Sequence, residues 1–227
     1  MYDAEFIREE RHSETVRRYK DRIRIFVILY VFGRTLDDPD NPQRKKRFET
    51  EMRLQKIDFL LRYPDYFAFE LLKLAEEGKA NRDEIKKIVR SILDEREPEL
   101  RRHEMQRFFF GSYEDIDDVI AFLKSVDFVE FSSEKALDMR TINKIYFVTK
   151  QGVDRLEGMI DTLPLIGWYV ERSELIRRFF GMKSAAELKR MQYLLDEVRS
   201  AGYRESIAGI TDRVQQKYDD LYGRDVR

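Results

Sequence analysis

Apolar positions along most of the chain recur with the period of a helix. In Arg82–Arg96, Ile85, Ile88, Val89, Ile92 and Leu93 follow the i, i+3, i+4, i+7, i+8 spacing that turns one stripe inward. The pattern also predicts a helix over Gln43–Arg62, opened by Pro42, with Leu54, Ile57, Leu60 and Leu61 on one face. Pro64 ends it, because the residue before a proline avoids the α region. A further helix over Asp65–Glu77 carries Phe67, Leu71 and Leu74 as far as Gly78, and helix resumes after Pro98 over Glu99–Phe110. The N-terminal stretch Ala4–Tyr30 reads as one or two helices stopped by Gly33. Its apolar run Ile25–Phe32 would equally suit a buried strand, and periodicity does not decide between the two.

From Ser112 the pattern changes. Ser112 is placed to cap a helix running to Ser125, with Ile116, Val119, Ile120 and Leu123 inward. A short strand Phe128–Phe131, a polar loop Ser132–Thr141 and a second strand Asn143–Thr149 follow, and Thr149–Gly152 turns into a helix bearing Val153, Leu156 and Ile160. Helix, strand, long hairpin, strand, helix is the order of a winged helix-turn-helix domain. The remainder, Pro164–Arg227, reads as three helices, the second opened by a Ser184/Glu187 capping box. The expected fold is therefore α+β and predominantly helical, a winged helix-turn-helix core with flanking N- and C-terminal helices. Its regions are residues 1–80, 81–163 and 164–227, which can also form one continuous unit.

Composition narrows the chemistry. Charged residues make up 38% of the chain yet leave a net charge of −1, so both signs are interleaved and no global positive field draws nucleic acid. With no Cys, thiolate ligands, disulfides and thiol catalysis are excluded, and two His leave little for metal sites or proton shuttles. Phosphate loops and nucleophile elbows are absent, so no catalytic set, cofactor or metal is expected. The charged N-terminus is unlike a secretory signal, and the longest apolar run, Ile25–Phe32, is too short to cross a bilayer. A cytoplasmic protein without a membrane partner is expected.

Some residues still invite chemistry. Arg44, Lys45, Lys46 and Arg47, on one turn of the expected helix, would suit phosphate contacts or simply a solvated helix start. Lys135, Arg140 and Lys144 on the wing would touch a nucleic-acid backbone without reading bases. The would-be recognition helix turns Glu114, Asp117 and Asp118 outward, and acids there repel phosphates, which favours a protein partner. Phe108, Phe109 and Phe110 cannot all face one side of a helix, so at least one, Phe108 or Phe109 among them, is a candidate for partner docking. Asp115 with Asp117 and Asp118 suits a helix start as well as a cation, and His103 beside Glu104 reads as a packing histidine.

Three stretches carry a resemblance. Arg22–Tyr30 (RIRIFVILY), Leu54–Tyr66 (LQKIDFLLRYPDY) and Val148–Gly152 (VTKQG) resemble the middle component of ABC three-component systems over roughly residues 20–160. This resemblance implies the small non-enzymatic subunit of a Lamassu-type antiphage defence complex. Its partners would be an SMC-like ABC ATPase and an effector nuclease, with DNA reached through the assembly. Two other readings stay open: a free-standing winged-helix transcriptional regulator, and a carboxylate nuclease built on Asp115 and Asp118.

Overall fold

The apolar run that periodicity leaves open becomes helix. In a computed structural model that describes residues 4–108, 111–135 and 141–223, α1 spans Ala4–Phe32 without a break. Every residue from Arg24 to Leu29 is buried. A helix satisfies its own backbone groups, so it can be enclosed on all sides without needing strands at both edges.

The chain divides into two compact units, one made of Met1–Leu54 with Asp115–Leu175 and the other of Gln55–Glu114 with Ile176–Arg227. These boundaries differ from the three consecutive regions expected from sequence, because each unit is assembled from segments far apart in the chain.

In the first unit, α1 is followed by β1 (Arg34–Thr35) and β2 (Arg44–Glu49), and α2 (Glu51–Arg62) begins there. The helix expected over Gln43–Arg62 is thus strand in its first third. Thr50, at φ 68°, makes the corner between the strand and the helix. The override is tertiary: Phe48, 2% exposed, pairs with Tyr146 on a distant strand. The unit continues with α6 (Asp117–Ser125), β5 (Val129–Lys135), β6 (Thr141–Thr149) and α7 (Lys150–Ile160). Its sheet is antiparallel in the order β1-β2-β6-β5, and α1 packs on α6, β2 and β6. Phe48, Tyr146, Val148 and Val129 are all buried.

The second unit holds most of α2, then α3 (Pro64–Glu76), α4 (Arg82–Asp94), α5 (Glu97–Leu100) and the hairpin β3 (Gln106–Phe108) with β4 (Gly111–Tyr113). The helix expected over Glu99–Phe110 is therefore one turn and a strand. Ser112 lies in β4 and does not cap α6. Past α8 (Pro164–Phe180), which begins in the first unit, come α9 (Ala185–Tyr193), α10 (Asp196–Ser200) and α11 (Thr211–Tyr222). The expected capping box is present, with Ser184 Oγ accepting from the Glu187 N–H and Glu187 accepting from the Ser184 N–H. The helix it opens stops at Tyr193, and Asp196–Ser200 forms a separate turn. The molecule is α+β and mostly helical with a small antiparallel sheet. Among the described residues no helix is long and apolar enough to cross a membrane.

Candidate functional site

The basic quartet lies on β2, so its side chains alternate between two faces instead of sharing a helical turn. Arg44 lies 4.1 Å over the Phe147 ring while its Nε donates to Glu130 at 2.8 Å. Lys46 sits 4.1 Å over the Tyr30 ring, and Arg47 pairs with Glu49 at 3.0 Å. Lys45 falls where the ladder with β6 shifts register, and its carbonyl accepts from the Leu36 N–H at 2.8 Å. Three of the four cations are thus engaged with rings or carboxylates of their own unit.

The wing candidates divide. Lys135 contributes backbone to β5, pairing with Thr141, and Arg140 lies outside the described residues. Lys144 is clamped between Glu51 at 2.6 Å and Asp117 at 2.9 Å. Partial burial would lower its ammonium, but the hydrogen bonds it donates to these two carboxylates outweigh that and hold it above the ordinary lysine range.

Of the acids expected on the outer face of α6, Asp117 and Asp118 open the helix and are exposed, Asp117 reaching back to Lys144. Glu114 lies elsewhere. It belongs to the second unit, on the loop after β4, where its carboxylate bonds Arg62 and its backbone is held from both sides by the Gln55 amide. The helix starts at Asp117, four residues after the expected start at Tyr113, so Glu114 does not share its outer face. Asp115 accepts from the Asp117 N–H at 2.9 Å, a local turn ahead of the helix. Phe108 is on β3, edge-on to Tyr113 and Tyr203 at 5.4 and 5.5 Å, and Phe109 lies outside the described residues.

A larger polar assembly lies in the second unit. It is built from the Arg62-Tyr63-Pro64-Asp65-Tyr66 segment joining α2 to α3. Every residue from Leu54 to Leu72 is buried, charges included. Arg62 Nε donates to the His103 carbonyl at 2.7 Å, and its other nitrogens reach the Glu104 carbonyl and the Asp58 and Glu114 carboxylates. Tyr63 Oη accepts from the Met105 N–H at 2.9 Å and donates to the Ile207 carbonyl at 3.0 Å. Asp65 accepts from Arg102 at 2.8 Å and from the Ile210 N–H at 2.6 Å, while Tyr66 donates to the Ala208 carbonyl at 2.8 Å. Four consecutive side chains other than Pro64 thereby tie two irregular loops, 101–105 and 207–210, to one helix corner. The signal available in sequence was the density of charges inside an otherwise apolar window.

Beside this corner lies a chamber of about 10 Å³, enough for one water-sized sphere, lined by Lys56, Tyr66, Glu70, Gln192 and apolar neighbours. Lys56 donates to the Ser112 carbonyl at 2.9 Å, and Ser112 Oγ donates to Gln192 at 3.2 Å. Burial, helped by the charge of Lys189, pulls Lys56 down to about 7, and burial pushes the Glu70 carboxyl up. A wider cleft of about 370 Å³ opens at the start of α11, but its cations face carboxylates, Arg213 meeting Glu197 at 3.1 Å and Arg102 meeting Asp65. Among the described residues, no group of three His, Asp or Glu is placed to hold a metal ion.

The VTKQG stretch has an equally local role. Thr149 Oγ1 accepts from the Gly152 N–H at 3.0 Å and donates to the Asp127 carbonyl at 2.6 Å, and Gln151 donates to the Val126 carbonyl at 3.1 Å. A Cβ at Gly152 would lie 2.4 Å from the Phe128 carbonyl oxygen, so only glycine allows this approach of α7 to the start of β5. Comparison with protein families, curated proteins and solved structures gives no match.

Proposed function

We propose that the chain is a non-enzymatic accessory subunit of an SMC-like ATPase complex of the Lamassu type. In this reading it docks on the ATPase heads and helps hold or release an effector nuclease, working in the cytoplasm. The observation that carries it is the acidic outer start of α6 beside a neutralised wing lysine. The strand order β2-β6-β5, with α6 leading into the β5–β6 hairpin, supports a winged helix-turn-helix core. In a DNA-reading version the helix before the hairpin presents cations or amides to the groove. Here it begins with exposed Asp117 and Asp118, and the nearest wing lysine, Lys144, is held by Glu51 and Asp117. Carboxylates at that position oppose a phosphate backbone and suit a basic protein surface.

The residues that carry the family resemblance support a positional role. RYPDY ties loops to a helix corner, and VTKQG caps α7 against the start of β5. Such a subunit acts by differential contact: it favours one arrangement of heads and effector until DNA engagement favours another.

Co-expression with an SMC-like ATPase of the Lamassu type tests the proposal. The two chains are expected to co-purify, and Asp117→Lys with Asp118→Lys to weaken that association at least about tenfold without unfolding the subunit. Separate elution of the unaltered chains, or association indifferent to the double reversal, would contradict it.

A further inference from the structure

Helix α1 passes from buried to exposed within one turn. Arg24–Leu29 are enclosed, Asp21–Ile23 are intermediate, and Thr15–Lys20 are exposed on every side of the helix. Helix continues on both sides of the exposed turn. Val16, Tyr19, Ile23, Phe26 and Tyr30 follow one another at spacings of three, four, three and four residues, the seam of a coiled coil. The inner end of this seam is occupied by the unit itself: Phe26 stacks on Phe128 at 5.3 Å, and Tyr30 donates to Glu157 at 2.8 Å. At the outer end Val16 is 37% and Tyr19 57% exposed.

Charge identifies what the outer seam accepts. Residues 15–23 contain four cations, Arg17, Arg18, Lys20 and Arg22, against the single anion Asp21. Asp21 is shared by Arg24 at 2.7 Å and Arg17 at 4.0 Å. Arg22 lies 3.7 Å over the Phe122 ring of α6 and 5.5 Å from that of Tyr19, bordering the open seam with a guanidinium. Arg18 and Lys20 are exposed and form no ion pair with another described side chain.

We propose that Thr15–Ile23 is a docking seam for an acidic amphipathic helix of another protein, one that places apolar residues on Val16 and Tyr19 and carboxylates on the flanking cations. A second copy fits poorly, because a two-fold pairing centred on this turn would bring the same cations together. A nucleic-acid backbone would satisfy the charges but leave the apolar seam facing phosphates. Helical turns without tertiary packing are marginal alone, so an occupant would stabilise this segment as it binds. The inference rests on α1 alone and is independent of the assembly proposed above.

The test uses the full chain and a synthetic 21-residue helix with leucine at seam positions and glutamate beside them, followed by fluorescence anisotropy. Saturable binding is expected, weakened at least about tenfold by Val16→Ser with Tyr19→Ser and equally by Arg18→Glu with Lys20→Glu. Circular dichroism should show both variants folded, since the altered residues are exposed, and a lysine-flanked control helix should not bind. No binding, or equal binding by all variants, overturns the proposal. So does a duplex DNA that binds through Arg18 and Lys20 regardless of Tyr19, and so does a concentration-dependent dimer abolished by Tyr19→Ser.

Discussion

Burial moves Lys56 far from its solution chemistry: it is 1% exposed and its ammonium is lowered to about 7. A lysine depressed in the fold binds its proton more tightly when unfolded. Between pH 7 and the unfolded value near 10.5, the unfolded state therefore holds more protons, and stability rises with pH. The gain over that window is on the order of 5 kcal/mol at most. Buried Tyr63 and Tyr66 act in the opposite sense above pH 10, because their raised phenols stay protonated in the fold while unfolded tyrosines ionise. Urea midpoints should thus climb from pH 7 to about 9.5 and turn down beyond it. Lys56→Met should flatten the climb and leave the downturn. A flat profile in the unaltered chain would refute this placement of Lys56. Asp65 has the converse character, a carboxylate with no exposure held by Arg102 and the Ile210 and Tyr66 N–H groups. Asp65→Ala leaves Arg102 and the 207–210 loop uncompensated and should cost about 3–5 kcal/mol in chemical denaturation, against about 1–3 kcal/mol for Tyr63→Phe.

At the scale of elements, the join between the β5–β6 hairpin and α7 is the most economical test of the fold. Thr149→Ala removes the N-cap and should cost about 1–2 kcal/mol in thermal unfolding. Gly152→Ala drives a methyl against the Phe128 carbonyl and should cost about 1–3 kcal/mol or more. If Gly152→Ala left the melting temperature unchanged, α7 would not approach the start of β5 in this way. What was legible in sequence follows from how local each signal is. The Ser184/Glu187 box, the helices from Pro64 and Arg82, and the alternating run of β6 depend on neighbours within a few residues. β2 does not: Arg-Lys-Lys-Arg-Phe-Glu carries no strand signature, and it is extended because Phe48 meets Tyr146 and Arg47 meets Phe147. Reading it as helix placed four cations on one turn, whereas the strand distributes them and a bulge shifts Lys45. The β3–β4 hairpin failed for a similar reason, since three aromatic residues in a row were forced into a helical count. Asp117 and Lys144 stand out in sequence as charged positions, but the ion pair between them belongs to tertiary structure alone.

Across the whole molecule, two units are each built from separated segments, and the stretches that suggested a family hold these units together internally. Ionic and aromatic partners engage most of the cations first considered for nucleic acid. The acidic start of α6 and the cationic outer turn of α1 remain, two surfaces of opposite sign in the first unit. That arrangement suits a component that brings other proteins together, in line with the proposal that this polypeptide positions machinery and performs no reaction itself. Light scattering on the chain mixed with purified heads of an SMC-like ATPase of the Lamassu type tests this most directly, with nucleotide turnover and strand cleavage followed in the same samples. The account predicts one complex whose mass exceeds that of the heads by the 27.5 kDa of the subunit or a multiple of it, and an isolated subunit that is inert in both assays. Two species that never associate, or hydrolysis and cutting by the subunit alone, would contradict it.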